Sequence, residues 1–550
     1  MSQTSPTRLL ALAATLVGIA ALLLLWRGRP KPAEPLAPDA AVARVSLPSP
    51  LETIAPKVAR DELTPAARAL LDSLLRALAA GDVREREAVL TFKDDAALQR
   101  FLSRARRIDL AVLGRLDALR SVRVRFRDLG ALQHDLAENA ADYAAVGANP
   151  LFRIPQPPAK QDRAAVDQVP FGNDTLAFLG ATGDRSAWGR GTTIAILDTG
   201  VAGDATFGSG RVRAFDLGLG LTPGHGGEDG HGTAIAALAA GGLRDAGGVA
   251  PGANLLSIRV TDASGVSDLF TIAQAIVASV DGGARVINIS LGGYSTGAAL
   301  DAAIGYATQR GALIVAAAGN DQAAQLAWPA ADPRVVSVGA IDRAEQQVLF
   351  SNSGAQLQLT APGYGVQTAW LDGRRVTING TSASAPLVAG AIAAVLSLNP
   401  AFTPRAAADL LVRTANDAGA PGPDAAFGHG IINLATALNQ ANPSYIDTAV
   451  SSHYFNAATG EMEFVIQNRS GRAVTGLSLA ITNGTTTTNT SVPSLAIGET
   501  YVAKVPVSST ALKTAGSISF TTRLNNPPGA VDQVPANNQR TSVLTAPPKP

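Results

Sequence analysis

The sequence contains no cysteine and only five histidines among its 550 residues. Without cysteine the chain has no disulfide, no thiol nucleophile, no iron–sulfur cluster and no cysteine-ligated zinc site. The formal net charge is +1 and charged residues make up 16% of the chain. This balance gives no support to a nucleic-acid-binding protein, because such proteins need a basic patch or stripe. Any reaction that requires an imidazole group has few candidate residues.

An uncharged, almost wholly apolar run occupies residues 9–26, between Arg8 and Arg27. A soluble core helix would show more polar positions, so we expect residues 1–29 to be a signal peptide or a membrane anchor. A clear small-residue cleavage site is missing beside the run, which favours an anchor that contacts the membrane. The Pro- and Ala-rich linker at 30–62 favours export, although the positive-inside rule argues for the opposite orientation. We therefore predict an exported protein of the cell envelope, membrane-anchored or periplasmic or secreted.

Residues 63–160 show the pattern of a small α+β domain. Leucines at helical spacing predict a first helix, and strands then alternate with helices as far as Ile154. The strand from Ser121 to Arg127 has valine and phenylalanine on one face and arginine on the other, which predicts a sheet with one solvated face. Two helices on one sheet in this order indicate a ferredoxin-like, split βαβ fold. A polar, Pro-rich linker follows at 155–167.

Between residues 166 and 441, continuous apolar runs alternate with helical stretches. Three of these runs cover residues 192–197, 286–290 and 312–318. Buried strands that alternate with helices predict an α/β domain built on a doubly wound parallel sheet. After this domain, short alternating strands separated by Gly, Pro and Asn predict an immunoglobulin-like β-sandwich over 446–545. Hydrophobic residues make up 46% of the whole chain, which is enough for several cores.

Two side chains that can bear charge stand at the ends of apolar elements. Asp198 ends an apolar strand and precedes Thr199-Gly200, at the edge where open α/β sheets place their sites. Alone, it is equally a turn or capping residue, or part of the Asp-Thr-Gly loop of an aspartic protease. His231 begins a helix of small residues, a position where a single histidine is more often structural. His225 lies in a Gly-rich loop, and we interpret it as solvated.

Ser382 lies in the run Gly-Thr-Ser-Ala-Ser-Ala-Pro that begins at Gly380 and leads into a long apolar helix. A serine at a helix start is usually an N-cap, and we interpret Ser384 in that way. Around Ser382, Gly380 permits an unusual backbone, and the N–H groups of the helix start can stabilise a developing oxyanion. Asn320 follows another buried strand, so its amide is either a turn residue or a second oxyanion donor.

Together these sites resemble the subtilisin-like serine proteases, the subtilase family. The matching segments are Ile196-Leu-Asp-Thr-Gly-Val201, His231-Gly-Thr233, Ala317-Ala-Gly-Asn320 and Gly380-Thr-Ser-Ala-Ser-Ala-Pro386. The resemblance implies that Asp198 orients His231, which acts as the general base. Ser382 is then the nucleophile, and Asn320 helps to bind the oxyanion. The chemistry favours the same roles, because a serine hydroxyl is a weak nucleophile until an oriented imidazole takes its proton.

The resemblance also implies a cleft for polypeptide substrates. Two segments resemble those with which the family holds an extended peptide by backbone hydrogen bonds, namely Ser264-Gly265-Val266 and Ser290-Leu291-Gly292. We expect no cofactor to be required for catalysis and assign no metal ligands, while calcium remains open without a placed site. Asp321, beside Asn320, favours a basic residue next to the cut.

The domain at 63–160 is similar in its strand–helix order to the inhibitory propeptides of subtilases. Gln168-Val-Pro170 resembles the start of a mature domain. We therefore expect self-cleavage between Pro158 and Gln168, after which the chain's own propeptide masks the site. Two other classes remain open. One is a catalytically silent subtilase-fold scaffold or adhesin, against which the intact set of four residues argues, and the other is an aspartic protease that uses Asp198.

Overall fold

The computed structural model describes residues 63–155, 168–218 and 230–546. The apolar run at 9–26, the linker at 30–62, most of the Pro-rich segment after Pro155, and His225 lie outside the described residues. The expectations for those parts of the chain therefore stay predictions.

The N-terminal domain is a four-stranded antiparallel sheet with helices packed on one face. Its helices are α1 (Pro65–Ala79), α2 (Asp95–Ala105) and α3 (Gly130–Asn139), and its strands are β1 (Val83–Phe92), β2 (Leu110–Leu116), β3 (Ser121–Phe126) and β4 (Tyr143–Arg153). The strand order is β2-β3-β1-β4. Helix α1 begins after Thr64, whose hydroxyl oxygen accepts the Ala67 N–H at 3.2 Å and so caps the helix. Its buried leucines join Phe92, Phe101 and Phe126 in one apolar core.

Two features of this domain differ from the sequence prediction. Strand β2 is not predicted by its pattern, because it lies at the sheet edge and most of its residues are exposed. The arginine face of β3 is only partly solvated, because Arg125 and Arg127 are exposed as expected whereas Arg123 is partly buried. Arg123 pairs with Glu87 at 2.7 Å and with Asp268 of the following domain at 3.4 Å. This face of the sheet therefore packs against the next domain, and the buried carboxylates compensate its positive charge.

The described part of the central domain contains twelve strands, and seven of them form a parallel sheet with helices on both faces. Its strands are β5 (Thr193–Asp198), β6 (Val212–Phe215), β7 (Gly242–Leu243), β8 (Ala246–Gly247), β9 (Asn254–Arg259), β10 (Val266–Asp268), β11 (Val286–Ile289), β12 (Leu313–Ala317), β13 (Val336–Ile341), β14 (Leu359–Pro362), β15 (Val366–Ala369) and β16 (Arg375–Ile378). Its helices are α4 (Thr175–Phe178), α5 (His231–Ala240), α6 (Leu269–Asp281), α7 (Ala298–Gln309), α8 (Thr381–Leu398), α9 (Pro404–Arg413) and α10 (Leu434–Asn439). The sheet order is β14-β13-β12-β11-β5-β9-β6. The doubly wound parallel sheet is confirmed.

The parallel sheet determines where the chain can build a site. All six strand pairings of the large sheet are parallel, so the carboxyl ends of β5, β11 and β12 meet at one edge. Helices α5 and α8 pack on one face of the sheet, and α6 and α7 pack on the other. Among the described residues, α8 alone is long and apolar enough to cross a membrane, yet 89% of it is buried. It is therefore a core helix of this domain.

The C-terminal region contains two antiparallel sheets that share an apolar core. Its strands are β17 (Thr448–Asn456), β18 (Glu461–Asn468), β19 (Ser478–Asn483), β20 (Thr486–Ser491), β21 (Thr500–Pro506), β22 (Ser517–Asn525) and β23 (Gln539–Thr545), with the short helix α11 (Ser509–Ala515). The sheets are ordered β17-β18-β21 and β20-β19-β22-β23. Phe464 and Phe520, from opposite sheets, pack with their ring centroids 5.7 Å apart. The immunoglobulin-like assignment of this region stays a prediction.

Buried polar contacts join the C-terminal sheets to the central domain. Gln467 donates to the Ala415 carbonyl oxygen at 2.9 Å, and the Ser451 hydroxyl donates to the Asp417 carbonyl oxygen at 2.6 Å. Arg469 donates to Ser451 Oγ and to Gln467 Oε1, so its guanidinium takes part in the same group of contacts. Burial raises the pKa of Asp417 to about 6. Buried hydrogen bonds therefore join the two regions.

A partly buried histidine in the C-terminal sheets predicts acid-sensitive stability. His453 is hydrogen-bonded to Thr522 at 2.7 Å and to Ser542 at 2.8 Å, and burial, with the charge of Arg540, lowers its pKa to about 3. The unfolded chain takes up this proton near pH ~6.5, so the stabilisation is complete above that pH and falls as the pH drops towards about 3. We expect the free energy of unfolding to fall by up to about 1.4 kcal/mol per pH unit through this group.

The measurement is urea unfolding of the unchanged chain and of His453→Gln from neutral pH to about pH 4. Asp417 titrates with the opposite sign, because its pKa is raised by folding, but it is common to both proteins and cancels in their difference. The difference between the two proteins should change as the pH falls through this range. Parallel pH profiles would show that His453 contributes nothing.

Candidate active site

Asp198 and His231 are brought together at the edge of the parallel sheet. Asp198 is the last residue of β5, and His231 is the first residue of α5. His231 Nδ1 lies 2.8 Å from Asp198 Oδ1 and 3.0 Å from Oδ2, and both residues are buried. Oδ1 also accepts the Thr199 N–H at 2.8 Å. The carboxylate therefore fixes the imidazole ring with Nε2 directed away from it.

The small residues around His231 allow two backbones to touch. The Thr199 hydroxyl oxygen accepts the Gly232 N–H at 2.9 Å, which ties the start of α5 to the end of β5. A methyl group added to Gly232 would overlap the carbonyl oxygen of Gly200. The glycine after His231 is therefore required for the close approach of the imidazole to Asp198.

Ser382 and Asn320 border one space at the start of α8. Ser382 is the second residue of the helix, which begins after Gly380, and the φ of 142° at Gly380 suits glycine. Asn320 Oδ1 accepts the Thr381 N–H at 3.0 Å and the Thr381 hydroxyl at 2.8 Å, so the orientation of its amide is fixed. A methyl group on Gly380 would lie 2.9 Å from Asn320 Nδ2 and 3.4 Å from Ser382 Oγ. The amide donor and the serine hydroxyl therefore face the same small volume.

The end of β4 passes through the cleft that the sequence predicts for substrate. Arg153 exchanges two backbone hydrogen bonds of 2.8 Å with Gly292, and the Ile154 N–H donates to the Gly265 carbonyl oxygen at 3.2 Å. Strand β4 also pairs antiparallel with β10. The chain's own backbone is thus held between two segments, as an extended peptide would be.

Pro155, one residue farther along, brings its carbonyl group to Asn320. Asn320 Nδ2 donates to the Pro155 carbonyl oxygen at 2.9 Å across 165 positions of sequence. Sequence reasoning missed this contact, because Pro155 lies in a Pro-rich segment that predicts only a linker. A backbone contact over such a distance leaves no local pattern.

The six residues predicted to hold a peptide have different environments. Three of them contact the end of β4 through their backbone: Gly265, Val266 and Gly292. Ser264 lies in a turn, where its N–H donates to the Asp262 carboxylate. Leu291 is buried in the apolar core. Ser290 directs its hydroxyl to the Ser382 carbonyl oxygen at 3.1 Å.

Tyr294, Asp321 and Asn352 form a hydrogen-bonded group beside Asn320 that no sequence motif predicts. Tyr294 donates its hydroxyl to the Asp321 carboxylate and accepts from Asn352 Nδ2 at 2.7 Å. Burial, and then the hydrogen bond to Asp321, raise the pKa of Tyr294 to about 12. The Asp321 carboxylate is therefore engaged by a neutral phenol. Its selection of a basic residue next to the cut stays a prediction.

Metal-binding side chains can be assessed only within the described residues. In residues 63–155, 168–218 and 230–546, His, Asp and Glu side chains do not converge in groups of three or more that could hold a metal ion. The expectations about cofactors and calcium stay predictions.

Comparisons with known proteins connect this geometry with one family. A sequence profile of the subtilase family matches residues 189–430. The chain is 35% identical over 279 residues to subtilisin Savinase of Lederbergia lenta, which covers 49% of this chain and 98% of that protein. It is 34% identical over 279 residues to an alkaline protease of Alkalihalobacillus alcalophilus, with 49% of this chain and 70% of that protein covered.

Two solved structures share the fold. Fervidolysin from Fervidobacterium pennivorans, a keratinolytic enzyme related to subtilisin, superposes with a TM-score of 0.54 at 20% identity, over 85% of this chain and 77% of that one. The epidermin leader peptide processing serine protease of Staphylococcus aureus has a TM-score of 0.53 at 22% identity, over 65% of this chain and 98% of that one. At these identities the likeness concerns the fold alone.

The contact between Gly232 and Gly200 predicts a strong effect of one methyl group. We expect Gly232→Ala to displace His231 and to lower the hydrolysis of a dye-labelled protein by about 100-fold or more, as misplaced reacting groups do. Gly305→Ala in α7 is the matched control, because the nearest heavy atom to its new methyl is an Arg334 nitrogen 3.7 Å away. Equal rates for the two variants would contradict the requirement for glycine at position 232.

Proposed function

Because the chain belongs to the subtilase family of serine endopeptidases, we propose that Ser382, His231 and Asp198 together hydrolyse peptide bonds in polypeptide substrates. Ser382 Oγ attacks the substrate carbonyl carbon while His231 Nε2 takes the hydroxyl proton. Asp198 holds Nδ1 and stabilises the imidazolium that forms. The imidazolium then gives its proton to the leaving amine, and water hydrolyses the acyl-enzyme by the same steps in reverse order.

Asn320 serves in this proposal as the donor to the oxyanion. Its Oδ1 is held by Thr381 from two sides, so Nδ2 is directed into the site without reorganisation. The observation that carries the proposal is the Pro155 carbonyl oxygen, which already accepts from Nδ2 at 2.9 Å. This contact supports the proposal, because a carbonyl that accepts from Nδ2 would hold its oxygen where negative charge develops during attack by Ser382.

The same contact supports self-processing of a proenzyme. With the Pro155 carbonyl at the oxyanion donor, the bond poised for attack is Pro155–Gln156, which lies before the range from Pro158 to Gln168 that the sequence predicts. After cleavage, the N-terminal domain would stay attached through β4 and β10 and through the ion pair of Arg84 with Asp268 at 3.2 Å. It would then act as an inhibitory propeptide that masks the site.

Export remains part of the proposal on sequence grounds. The apolar run at 9–26 supports a signal peptide or an anchor. A self-inhibited proenzyme fits export as well, because the protease would then not cleave proteins inside the cell before it is exported. Membrane association through this run is the accompanying proposal.

An aspartic-protease mechanism is disfavoured by the surroundings of Asp198. Such a mechanism uses two carboxylates that share a proton. Asp198 instead has both oxygens within 3.0 Å of His231 Nδ1. A catalytically silent scaffold differs from the proposal in the reactivity of Ser382, which can be measured directly.

A serine-directed fluorophosphonate should label Ser382 of the unchanged chain, because an activated hydroxyl attacks phosphorus, and should not label Ser382→Ala. Ser384→Ala is the matched control. Its hydroxyl lies two residues along the same helix and donates to the Ala361 and Pro362 carbonyl oxygens at 3.1 Å each. Mass spectrometry of the labelled peptide identifies the site. An unlabelled Ser382 in a folded chain would favour the silent scaffold.

Self-processing predicts a defined new terminus. Intact mass and N-terminal sequencing of the purified protein should show a fragment that begins at Gln156, while Ser382→Ala should remain uncut. The Ser384→Ala control should be cut at the same bond. A fragment that begins between residues 159 and 168 would support the sequence-based range instead, and an uncut active enzyme would refute self-processing.

A further inference from the structure

The first turn of α8 lacks one of its regular hydrogen bonds. In an α-helix the N–H of residue i+4 donates to the carbonyl oxygen of residue i. The partner for the Ser382 carbonyl would be residue 386, and that residue is proline, which has no N–H. The carbonyl of the proposed nucleophile is thus deprived of its helical donor by the sequence itself.

Ser290 supplies the missing donor from the sheet. Its hydroxyl lies 3.1 Å from the Ser382 carbonyl oxygen and is fully buried just beyond the end of β11. A buried carbonyl without a partner is costly, so this contact replaces a main-chain bond with one from a side chain that the sheet holds in place. The start of α8 is thereby anchored to the edge of the sheet.

Asn288 fixes the direction of this hydrogen bond. Its Nδ2 lies 3.0 Å from Ser290 Oγ. A serine hydroxyl has one proton, so Ser290 accepts from Asn288 and donates to Ser382. Asn288 is fully buried in β11, between Ile196 of β5 and Val315 of β12.

Asn288 is a polar residue in an otherwise apolar, buried strand. Neighbouring residues of β11 are apolar, and Asn288 Oδ1 has no hydrogen-bond partner among the described residues. Half of its amide is therefore buried unsatisfied, which folding alone would select against. The half that is satisfied points to Ser290 and, through it, to Ser382.

We propose that Asn288 and Ser290 are positioning residues for the nucleophile, and that Pro386 creates the acceptor on which they act. This proposal rests on the proposed role of Ser382. The chain of hydrogen bonds from Asn288 to Ser290 to the Ser382 carbonyl holds the first turn of α8, and with it Ser382 Oγ, at a fixed distance from the ends of β5 and β12. Ser290 thus contributes its side chain to the start of the helix.

A merely structural role would satisfy buried polar groups without affecting reactivity. The two roles are separated by measuring the rate constant of fluorophosphonate labelling at Ser382, kcat and KM for a peptide p-nitroanilide, and Tm. All variants are made in the full chain and compared in the same state of processing, as verified by intact mass.

Ser290→Ala should slow labelling by about 10- to 100-fold and lower kcat by the same factor with KM nearly unchanged, as loss of positioning does. Ser290→Thr keeps the hydroxyl and should restore most of the rate. Ser337→Ala is the matched control, because Ser337 is equally buried in β13 and donates to the Gln356 carbonyl oxygen at 2.7 Å. The control should lower Tm without changing the labelling rate.

Asn288→Leu gives the second contrast. If Asn288 is merely a buried polar residue, an apolar side chain of similar size should keep or raise Tm and leave the labelling rate unchanged. The positioning role predicts slower labelling at an unchanged or higher Tm.

Pro386→Ala tests whether the missing N–H at position 386 is the reason that Ser290 is needed. It returns an N–H that can bond to the Ser382 carbonyl, so the effect of Ser290→Ala on labelling should become several-fold smaller in the Pro386→Ala background than in the parent. Equal effects in both backgrounds, or a Ser290→Ala protein that labels at the parent rate, would overturn the inference while leaving the proposed function intact. If the parent itself fails to label at Ser382, the proposed function fails instead.

Discussion

The close approach of two backbones, at Gly200 and Gly232, is the constraint on which the rest of the site depends. It allows the last residue of β5 and the first residue of α5 to form the buried hydrogen bond between Asp198 and His231. The carboxyl end of β12 lies at the same edge, and Asn320, which follows it, is hydrogen-bonded to Thr381 at the start of α8, the helix that carries Ser382. The elements that carry the four predicted site residues reach one edge because every strand of this sheet points in one direction.

Several side chains at this edge hold backbone groups of another element. Asn320 uses its oxygen to hold the start of α8 and its nitrogen to meet a peptide carbonyl. Thr199 accepts a backbone N–H of α5. In our proposal, Ser290 likewise supports the nucleophile with its hydroxyl. Buried polar groups that are satisfied in this way hold one arrangement, because any shift would break more than one hydrogen bond.

The sequence predicted the parallel sheet and the residues at its edge, because apolar runs and Gly-rich motifs are local patterns that a reader can recognise. Other features have no such pattern. Strand β2 is an exposed edge, Arg123 of β3 is partly buried beside Asp268 although its pattern predicts a solvated position, and Pro155 meets Asn320 across 165 positions. The side chain of Ser290 could not be predicted either, since its acceptor exists only because of a proline 96 residues away (386 − 290). Contacts between domains and between distant turns therefore needed the structure.

The ion pairs of Asp268 with Arg84 and Arg123 join the central domain to the N-terminal domain and would break if the two domains separated. Asp268 also accepts the Thr271 N–H at 3.0 Å and so caps α6 on its own. If the N-terminal domain were cut free and left, this carboxylate would remain in place and its helix would stay capped. The catalytic domain would keep a preformed docking surface, to which a detached N-terminal domain could return. Masking of the site would then follow mass action, and dilution would relieve it.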